Sequence, residues 1–371
     1  MVNKKIKYFD LGNKFKKTQN LFLKDISIAG RKGDFILGSK VKEFENKIKN
    51  FTKSKYVISC ANGSDAIELS LSLLNIKKND EIITTSNTWI SVVNAILNLN
   101  AKPVFVDIDN SLNVDPNKIE KLITKKTKCI IITHLNGLAC DMTKIKKITN
   151  KYKIKFIEDR SQAIGTTFKN THVGNFGVLV TFSMHPTKNL GLFGDGGFII
   201  TGNKTYYEKL LIVRNHGLVN RDHVRYAGRN SRLDTFQAIA GLIGIKKLND
   251  TLKKRFRNAK FYEKELKVLD NFIETPIKNK SKESGHTFHR YVVFCKNRNK
   301  LLKFLTNKNI EAKIHYPVNI HQQPPFKKFY KNNLNVTNSL NNKILSLPIQ
   351  EHLKQNELIK IVSSIKEFYK N

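Results

Sequence analysis

Short apolar runs, rich in β-branched residues, recur over the first two hundred residues of the chain, and segments with helical periodicity lie between them. Several of these runs are hydrophobic throughout, which is typical of strands that are covered on both faces of a sheet. The segments between them, such as 64–76 and 91–100, carry apolar residues at the spacing of a helix face. The pattern predicts strands at 56–60, 81–85, 103–107, 128–133, 154–158, 178–183 and 197–201.

The alternation of strands and helices predicts βαβ units and therefore an α/β fold with a mainly parallel, doubly wound sheet. The pattern changes near position 235, and it then predicts a long helix, a strand at about 290–295, a helix at 298–308 and an amphipathic helix near 355–369. A chain of 371 residues exceeds the usual size of one domain. We therefore expect a large domain over 1–245 and a smaller α+β domain over 246–371.

The formal net charge of +36 is compatible with a nucleic-acid-binding protein, but the distribution of the charge argues against one. Of the 66 basic residues, 11 are Arg and 55 are Lys, and the Lys are spread over the whole length. The sequence has no RRM, KH, zinc-finger or helix-turn-helix pattern. Five of the Arg do lie together, between Arg214 and Arg232. They could meet a substrate pyrophosphate or form salt bridges at a dimer interface.

No stretch of the sequence is apolar for long enough to span a bilayer, and the basic N-terminus is not followed by the apolar run of a signal peptide. We therefore expect a cytoplasmic protein without a membrane partner. The four cysteines are far apart in the sequence and form no CxxC pair. This spacing predicts structural cysteines and no metal site.

Polar and aromatic residues follow the predicted strands at the edge where open α/β sheets bind ligands. Gly63 and Ser64 begin a helix whose free amides and hydroxyl suit a phosphate. The alternative is an ordinary capped turn, with Ser64 or Asp65 as the cap. Trp89, the only Trp, follows the second strand. It could cover the face of a heterocyclic cofactor or anchor the core at the start of a helix.

The fifth and sixth predicted strands lead into residues that could carry chemistry. Asp159 directly follows the end of an apolar strand, where a buried carboxylate needs a protonated pyridine nitrogen, Arg160 or a helix start as its partner. Lys188 follows the next strand among Pro and Gly residues, where desolvation would lower its pKa and make it a nucleophile. With Ser183 as a second phosphate-binding hydroxyl, these residues would supply the phosphate site, ring cover, acid and lysine that pyridoxal 5′-phosphate (PLP) requires.

Several segments carry collinear motifs, among them FILGSKVKEFE, NGSDAIELSL, THLNGLACDM, FIEDRSQAIGT, FSMHPTKNLGLFGDGG, GRNSRLDTFQA and IHYPVNIHQQP. In these motifs the chain resembles the DegT/DnrJ/EryC1/StrS family of PLP-dependent sugar aminotransferases over nearly its full length. The resemblance implies the fold type I architecture of aspartate aminotransferase, with a mainly parallel seven-stranded sheet in the large domain.

The resemblance also implies a role for each residue of the predicted site. Lys188 would form the Schiff base with PLP and shuttle a proton, and Asp159 would pair with the pyridine nitrogen. Gln162 would contact the ring on its hydroxyl side, and Trp89 would stack on the ring. The phosphate would be bound by Gly63, Ser64, Ser183 and, from the neighbouring subunit, Asn230. A homodimer with shared active sites is therefore implied.

The reaction implied by the resemblance transfers the amino group of L-glutamate to a keto sugar linked to a nucleoside diphosphate, for amino-sugar and polysaccharide precursor synthesis. The motifs GRNSRLD, GDGG and IHYPVNIHQQP are closer to the branch that aminates C3 of the hexose than to the 4-amino branch. The candidates for the substrate pocket are Arg229, Tyr316 and His321, although His321 could equally lie in a surface loop. The nearest alternative is a sugar dehydratase of the same fold, in which a histidine commonly replaces the lysine.

Four residues depart from the family pattern. Arg160 stands where the family often has a small residue, so its charge could compete for Asp159. Asn136, Leu138 and Met184 replace familiar residues, and we expect them to contact the sugar.

Overall fold

The structure is a computed structural model that describes residues 5–278 and 280–370. The strands are β1 (Tyr56–Cys60), β2 (Glu81–Thr85), β3 (Lys102–Val106), β4 (Thr127–Thr133), β5 (Lys155–Asp159), β6 (Thr167–Phe168), β7 (Thr171–His172), β8 (Leu179–Ser183), β9 (Gly197–Thr201), β10 (Ile273–Glu274), β11 (Tyr291–Cys295) and β12 (Ile344–Leu347).

The helices are α1 (Leu11–Lys16), α2 (Gln19–Arg31), α3 (Ser39–Thr52), α4 (Gly63–Ser72), α5 (Ser91–Asn98), α6 (Pro116–Ile119), α7 (Met142–Tyr152), α8 (Lys204–Val213), α9 (Thr235–Leu266), α10 (Arg298–Asn307), α11 (Asn335–Asn341) and α12 (Gln355–Lys370). Short 3-10 turns lie between some of them. Within the described ranges, none of the helices combines the length and the apolar character that crossing a bilayer requires.

The large sheet contains seven of the described strands in the order β1-β9-β8-β5-β4-β2-β3. Each strand runs parallel to its neighbours except β9, which pairs antiparallel with both β1 and β8. The mainly parallel seven-stranded sheet is therefore confirmed, and the predicted strands differ from the observed ones by at most one residue at either end. One of these shifts matters, because it makes Asp159 the last residue of β5.

Both faces of the sheet are covered, which explains why its strands are hydrophobic throughout. Successive side chains of a strand point to opposite faces. In β4, Ile131 packs into the cluster formed with α4, α5 and α8. Its neighbours Ile130 and Ile132 pack on the other face, in a cluster that includes Met142 and Ile145 of α7. The two clusters confirm the doubly wound arrangement.

The C-terminal region is built around the antiparallel sheet β10-β11-β12. Its apolar cluster joins this sheet to the second half of α9, to α10 and to α12. The N-terminal segment also packs here, since Ile6 pairs with Ile310 and is buried in the same cluster. The predicted boundary between 245 and 246 falls inside α9, and the division into two domains stays a prediction.

The four cysteines are unpaired and buried. Burial raises the pKa of Cys129 to about 12, and burial likewise raises the pKa of Cys295 to about 12. Both thiols are therefore protonated at neutral pH, where a thiol packs as a small apolar group.

A buried ion pair ties α9 to the turn that follows β12. Arg255 contacts Glu351 through Nη2 at 2.8 Å and through Nε at 3.1 Å. Its Nη1 donates to the carbonyls of Phe288 and His289 at 3.1 and 3.2 Å. Burial alone would raise the pKa of Glu351, but the Arg255 charge, a backbone hydrogen bond and the charges of His352 and Lys14 together outweigh burial and lower the pKa to about 2. This pair therefore fixes the backbone immediately before Arg290.

We predict that Glu351→Gln lowers the free energy of unfolding at pH 7 by about 3 kcal/mol, because it leaves Arg255 buried and unpaired. A carboxyl group whose pKa is lowered by folding stabilises the protein above its unfolded pKa, and this stabilisation disappears as the pH falls toward the folded pKa. The difference between wild type and variant should therefore shrink between about pH 5 and pH 2.

The measurement is urea unfolding across this pH range, with Glu265→Gln as the control. Glu265 pairs with Lys366 at 2.9 Å, but about 30% of each side chain is exposed. This control should change stability little. Equal effects of the two substitutions would contradict the role assigned to the Arg255–Glu351 pair.

Candidate active site

A cavity of about 510 Å³ opens at the carboxyl ends of β1, β2, β5 and β8. The residues around it come from distant parts of the chain. The predicted site residues that the structure brings together here are Gly63, Ser64, Trp89, Asp159, Gln162, Ser183, Lys188 and Tyr316.

One end of the cavity is the first turn of α4. Asn62 is the N-cap of this helix, and its side chain accepts a hydrogen bond from the amide of Asp65 at 2.8 Å. The alternative that Ser64 or Asp65 caps the helix is therefore wrong, because both lie inside the first turn. The Ser64 hydroxyl instead donates to Ser91 at 2.7 Å. The amides of Gly63 and Ser64 have no intrahelical acceptor, and the helix dipole makes this end attractive to an anion.

The same turn packs closely against the end of β8. A Cβ atom added to Gly63 would lie 2.5 Å from Cβ of Ser183, a distance that real side chains do not adopt. Glycine at this position therefore lets the helix start and the Ser183 hydroxyl lie side by side. Together they form a pocket of donors with the size and polarity of a phosphate site.

Asp159 lies on the sheet side of the cavity and is almost completely buried. Its carboxylate accepts from the amide of Ser161 at 3.0 Å and from the hydroxyl of Thr133 at 3.4 Å. These neutral donors do not neutralise the charge. The carboxylate is thus available to a cationic partner in the cavity, which a protonated pyridine nitrogen would supply.

Arg160 does not compete for Asp159, so this expectation is wrong. Neighbouring residues of a strand point to opposite faces, and Arg160 therefore shares the face of Glu158. Its guanidinium lies 5.0 Å from the centre of the Phe182 ring and donates to the carbonyls of Ala163 and Thr166. Glu158 lies close enough for its charge to raise the pKa of Arg160, although burial lowers that pKa more strongly.

Lys188 projects into the cavity from the loop that follows β8, and it is half-buried there. Burial, and then the positive charge of Arg290, lower the pKa of Lys188 to about 8, while the Asp159 carboxylate opposes the change. At pH 7 about a tenth of the Lys188 side chains are therefore neutral, whereas the neutral fraction of an ordinary lysine is far smaller. This amine is a competent nucleophile and proton carrier.

The loop that carries Lys188 is held from behind by Lys14 of α1. The Lys14 ammonium donates to the carbonyl of Gly191 at 2.7 Å and to that of Pro186 at 3.3 Å. On the other side, the Asn189 amide donates to the carbonyl of Thr287 at 3.1 Å. These contacts fix the position of Lys188, which the local sequence alone does not specify.

Two aromatic rings close the open side of the cavity. Trp89 is 55% exposed, so the alternative that it anchors the core is wrong. Its ring centre lies 5.7 Å from that of Tyr316, at an angle of 43°. The Gln162 amide donates to the Tyr316 hydroxyl at 3.4 Å, and its oxygen accepts from the amide of Asn136 at 2.9 Å. A flat ring could therefore lie between the sheet and the Trp89 face.

Three of the predicted residues lie outside the set that lines this cavity. Arg229 forms an ion pair with Glu68 of α4. Asn230 is exposed and pairs with Asn215. His321 is buried between Ser86 and Asn338, so the surface-loop alternative is wrong.

The departures from the family pattern are packing residues. Met184 is fully buried in the cluster under β8, and Asn136 and Leu138 are buried beside the cavity without lining it. The expectation that they contact the sugar is therefore not supported by their positions. In the arginine cluster, Arg214 pairs with Glu45 at 2.6 Å within the chain.

Arg290 is a cation of the cavity lining that the sequence did not indicate. It directly precedes β11, in the C-terminal region, and no motif of the sequence marks it. In the sequence, Arg290 is distinguished only by its position directly before the apolar run YVVFC.

These residues fit PLP. A helix start with two hydroxyls suits the phosphate, Asp159 suits the ring nitrogen, and Trp89 suits the ring face. Lys188 supplies the amine that can attach the cofactor. Among residues 5–278 and 280–370, no group of three or more His, Cys, Asp or Glu could hold a metal ion.

Residues 16–366 match the model of the DegT/DnrJ/EryC1/StrS aminotransferase family. The chain belongs to this family. It is 34% identical to a pleiotropic regulatory protein of Geobacillus stearothermophilus, over 98% of both chains. It is 35% identical to the dTDP-3-amino-3,6-dideoxy-alpha-D-galactopyranose transaminase of Aneurinibacillus thermoaerophilus, over 91% of this chain and 92% of that one.

Another relative is the UDP-N-acetyl-3-dehydro-alpha-D-glucosamine 3-aminotransferase of Acidithiobacillus ferrooxidans, which is 34% identical over 90% of this chain and 89% of that one. Among solved structures, DesV of S. venezuelae in complex with a ketimine intermediate has a TM-score of 0.95, at 28% identity over 99% of both chains. NtdA of Bacillus subtilis with bound cofactor PMP has a TM-score of 0.92, at 29% identity over 99% of this chain and 86% of that one.

The family match and these structures confirm the fold type I architecture, the aminotransferase activity and PLP as the cofactor. The cavity described above is the place in this chain where the residues fit that cofactor.

We predict that Gly63→Ala weakens PLP binding about ten-fold or more, because the new methyl group would overlap Ser183 and push the helix start away from the phosphate. The measurement is a titration of the apoprotein with PLP, followed by absorbance. Gly202→Ala is the matched control, since a Cβ at Gly202 meets nothing within 4 Å. Unchanged PLP affinity in Gly63→Ala would exclude this turn as the phosphate site.

Proposed function

We propose that this protein transfers the amino group of L-glutamate to a keto sugar linked to a nucleoside diphosphate. The observation that carries the proposal is the shared cavity of Lys188 and Asp159 beside the start of α4. The names of the two transaminase relatives, which act on nucleotide-linked amino sugars, support the substrate class. The product would serve amino-sugar and polysaccharide precursor synthesis.

Each residue has a defined task in this reaction. PLP, when bound, withdraws electrons from the carbon that is deprotonated. The Asp159 carboxylate would hold a proton on the ring nitrogen, and burial would strengthen this contact. Lys188 Nζ would take the proton from the donor carbon and carry it during the transfer. Trp89 would cover one face of the ring and exclude water from it.

The preferred acceptor in this proposal is a 3-keto sugar. Both transaminase names cite an amino group or a keto group at position 3. Tyr316 lines the cavity and is our candidate for a contact with the sugar. Membership of an aminotransferase family does not favour the dehydratase or the nucleic-acid-binding alternative.

A homodimer with shared sites is part of the proposal, and we expect it to be cytoplasmic. Asn230 lies in the segment 219–230, and every residue of this segment is solvent-exposed. Val224 in this segment is 64% exposed, and Phe35 and Ile36 are exposed next to the start of α9. Exposed apolar side chains favour an interface, and a second subunit would bring its Asn230 to the phosphate.

The first test is the absorbance of the PLP-loaded protein before and after addition of L-glutamate. We expect the cofactor band to change on addition of the donor, and we expect no covalently attached cofactor in Lys188→Ala, because the amine is missing. Lys204→Ala, at an exposed lysine outside the cavity, should behave as wild type. Failure to bind PLP would refute the proposed chemistry, and a band insensitive to L-glutamate would refute this donor.

The second half of the same experiment identifies the acceptor. Protein that has been converted by L-glutamate is mixed with a 3-keto or a 4-keto nucleotide sugar, and the return of the original band is followed. We expect return with the 3-keto sugar. Return with only the 4-keto sugar would refute the assignment to C3.

The shared site is tested by subunit complementation. Lys188→Ala and Asn230→Ala should each have low activity alone, because one lacks the amine and the other a phosphate contact. In a mixed dimer one of the two sites has both native residues, so random reassociation should restore about a quarter of the wild-type activity. No recovery on mixing, with dimers present, would contradict an Asn230 that acts across the interface.

A further inference from the structure

Arg290 is a buried cation at the active site. The residue is 8% exposed and lines the cavity together with Lys188. Its Nη1 donates to the Tyr316 hydroxyl at 3.1 Å, and its guanidinium lies 5.1 Å from the centre of the Tyr316 ring. The Nε atom is buried and has no hydrogen-bond partner among the described residues.

The charge of Arg290 is not balanced within the part of the chain that the structure describes. No carboxylate of residues 5–278 or 280–370 forms a salt bridge with it, whereas Arg214 and Arg255 each pair with a Glu. Arg160 and Arg298 are also buried and likewise have no salt bridge within these ranges, but both donate to backbone carbonyls and lie outside the cavity lining. Burying an unpaired cation is costly. An anionic ligand that binds beside the catalytic lysine would form an ion pair with Arg290 and offset this cost.

The Tyr316 hydroxyl is prepared to assist. It accepts hydrogen bonds from Arg290 and from the Gln162 amide at 3.1 and 3.4 Å. A hydroxyl that already accepts two hydrogen bonds still has its own proton to donate. Arg290 and Tyr316 therefore present N–H and O–H donors side by side, which matches the two oxygens of a carboxylate.

We propose that Arg290, with Tyr316 beside it, binds the α-carboxylate of the amino donor. This inference rests on the proposed function and identifies the donor site within it. The reacting carbon must lie at Lys188, and the α-carboxylate is bonded directly to that carbon. The pyrophosphate of a nucleotide sugar is separated from the reacting carbon by the sugar ring and the glycosidic oxygen. The cofactor phosphate would be held at the start of α4 and by Ser183, so it is not the anion for Arg290.

The test compares wild type, Arg290→Gln and Arg290→Lys, each loaded with PLP. Three donors differ in one group: L-glutamate, L-glutamine without the distal charge, and L-isoglutamine, whose α-carboxylate is an uncharged amide. We expect Arg290→Gln to lower kcat/KM about 30-fold or more for both L-glutamate and L-glutamine. For L-isoglutamine, kcat/KM of this variant should stay within about three-fold of wild type, because this donor has no α-carboxylate to lose. Arg290→Lys should recover part of the loss, because it keeps the charge without the planar fork.

Equilibrium binding gives a readout that does not depend on turnover. Calorimetry with 2-oxoglutarate, which carries no amine to transfer to the PLP-loaded protein, should show a Kd that is raised in Arg290→Gln by a similar factor. Arg257→Gln is the matched control, because it removes the same charge from the exposed side of α9. Each variant should retain the PLP absorbance of wild type, which shows that the site has folded.

The outcomes separate this inference from the proposed function. If wild type uses L-glutamate and Arg290→Gln retains its donor kinetics and its 2-oxoglutarate affinity, the inference is overturned and the proposed function stands. A loss with L-glutamate but not with L-glutamine would assign Arg290 to the distal carboxylate and overturn the α-carboxylate assignment. A loss of affinity for UDP or dTDP with unchanged donor kinetics would assign it to the pyrophosphate. If wild type ignores every amino donor, the proposed function itself fails.

Discussion

The direction of the strands is the constraint on which the whole site depends. Six strands of the large sheet run the same way, and each parallel connection has to cross over a face of the sheet and return to the opposite end. The residues that follow β1, β2, β5 and β8 therefore meet at one edge. This is why Gly63, Trp89, Asp159 and Lys188, which are far apart in the sequence, line one cavity.

Charge then determines the behaviour of that cavity. Lys188 and Arg290 lie around one buried carboxylate, Asp159, while the other two carboxylates of the lining, Asp65 and Asp195, are more exposed. Burial, and then the positive charge of Arg290, lower the pKa of Lys188, which favours a neutral amine. The two cations also attract anionic reactants, and both a cofactor phosphate and a donor carboxylate are anions. The Arg290 charge thus contributes both to activation of the lysine and to recognition of the reactants.

The supports behind the cavity are also ionic. Lys14 holds the loop of Lys188 through two carbonyls, and Arg255 holds the backbone before Arg290 while it pairs with Glu351. A fixed backbone keeps both cations in place without cofactor or substrate. The N-terminal helix α1 and the C-terminal region therefore contribute to a site whose chemistry belongs to the large sheet.

The sequence by itself determined the strand pattern, the parallel sheet and the residues that follow each strand, because hydrophobic periodicity and turn residues are local properties. It also indicated Lys188 and Asp159, since their setting after apolar strands is visible in one dimension. Only the tertiary structure decided that Asn62 caps α4, that Arg160 turns away from Asp159 and that Met184 packs in the core. It alone revealed Arg290, because an unbalanced buried charge is defined by what surrounds it in space, and its neighbours come from distant parts of the chain.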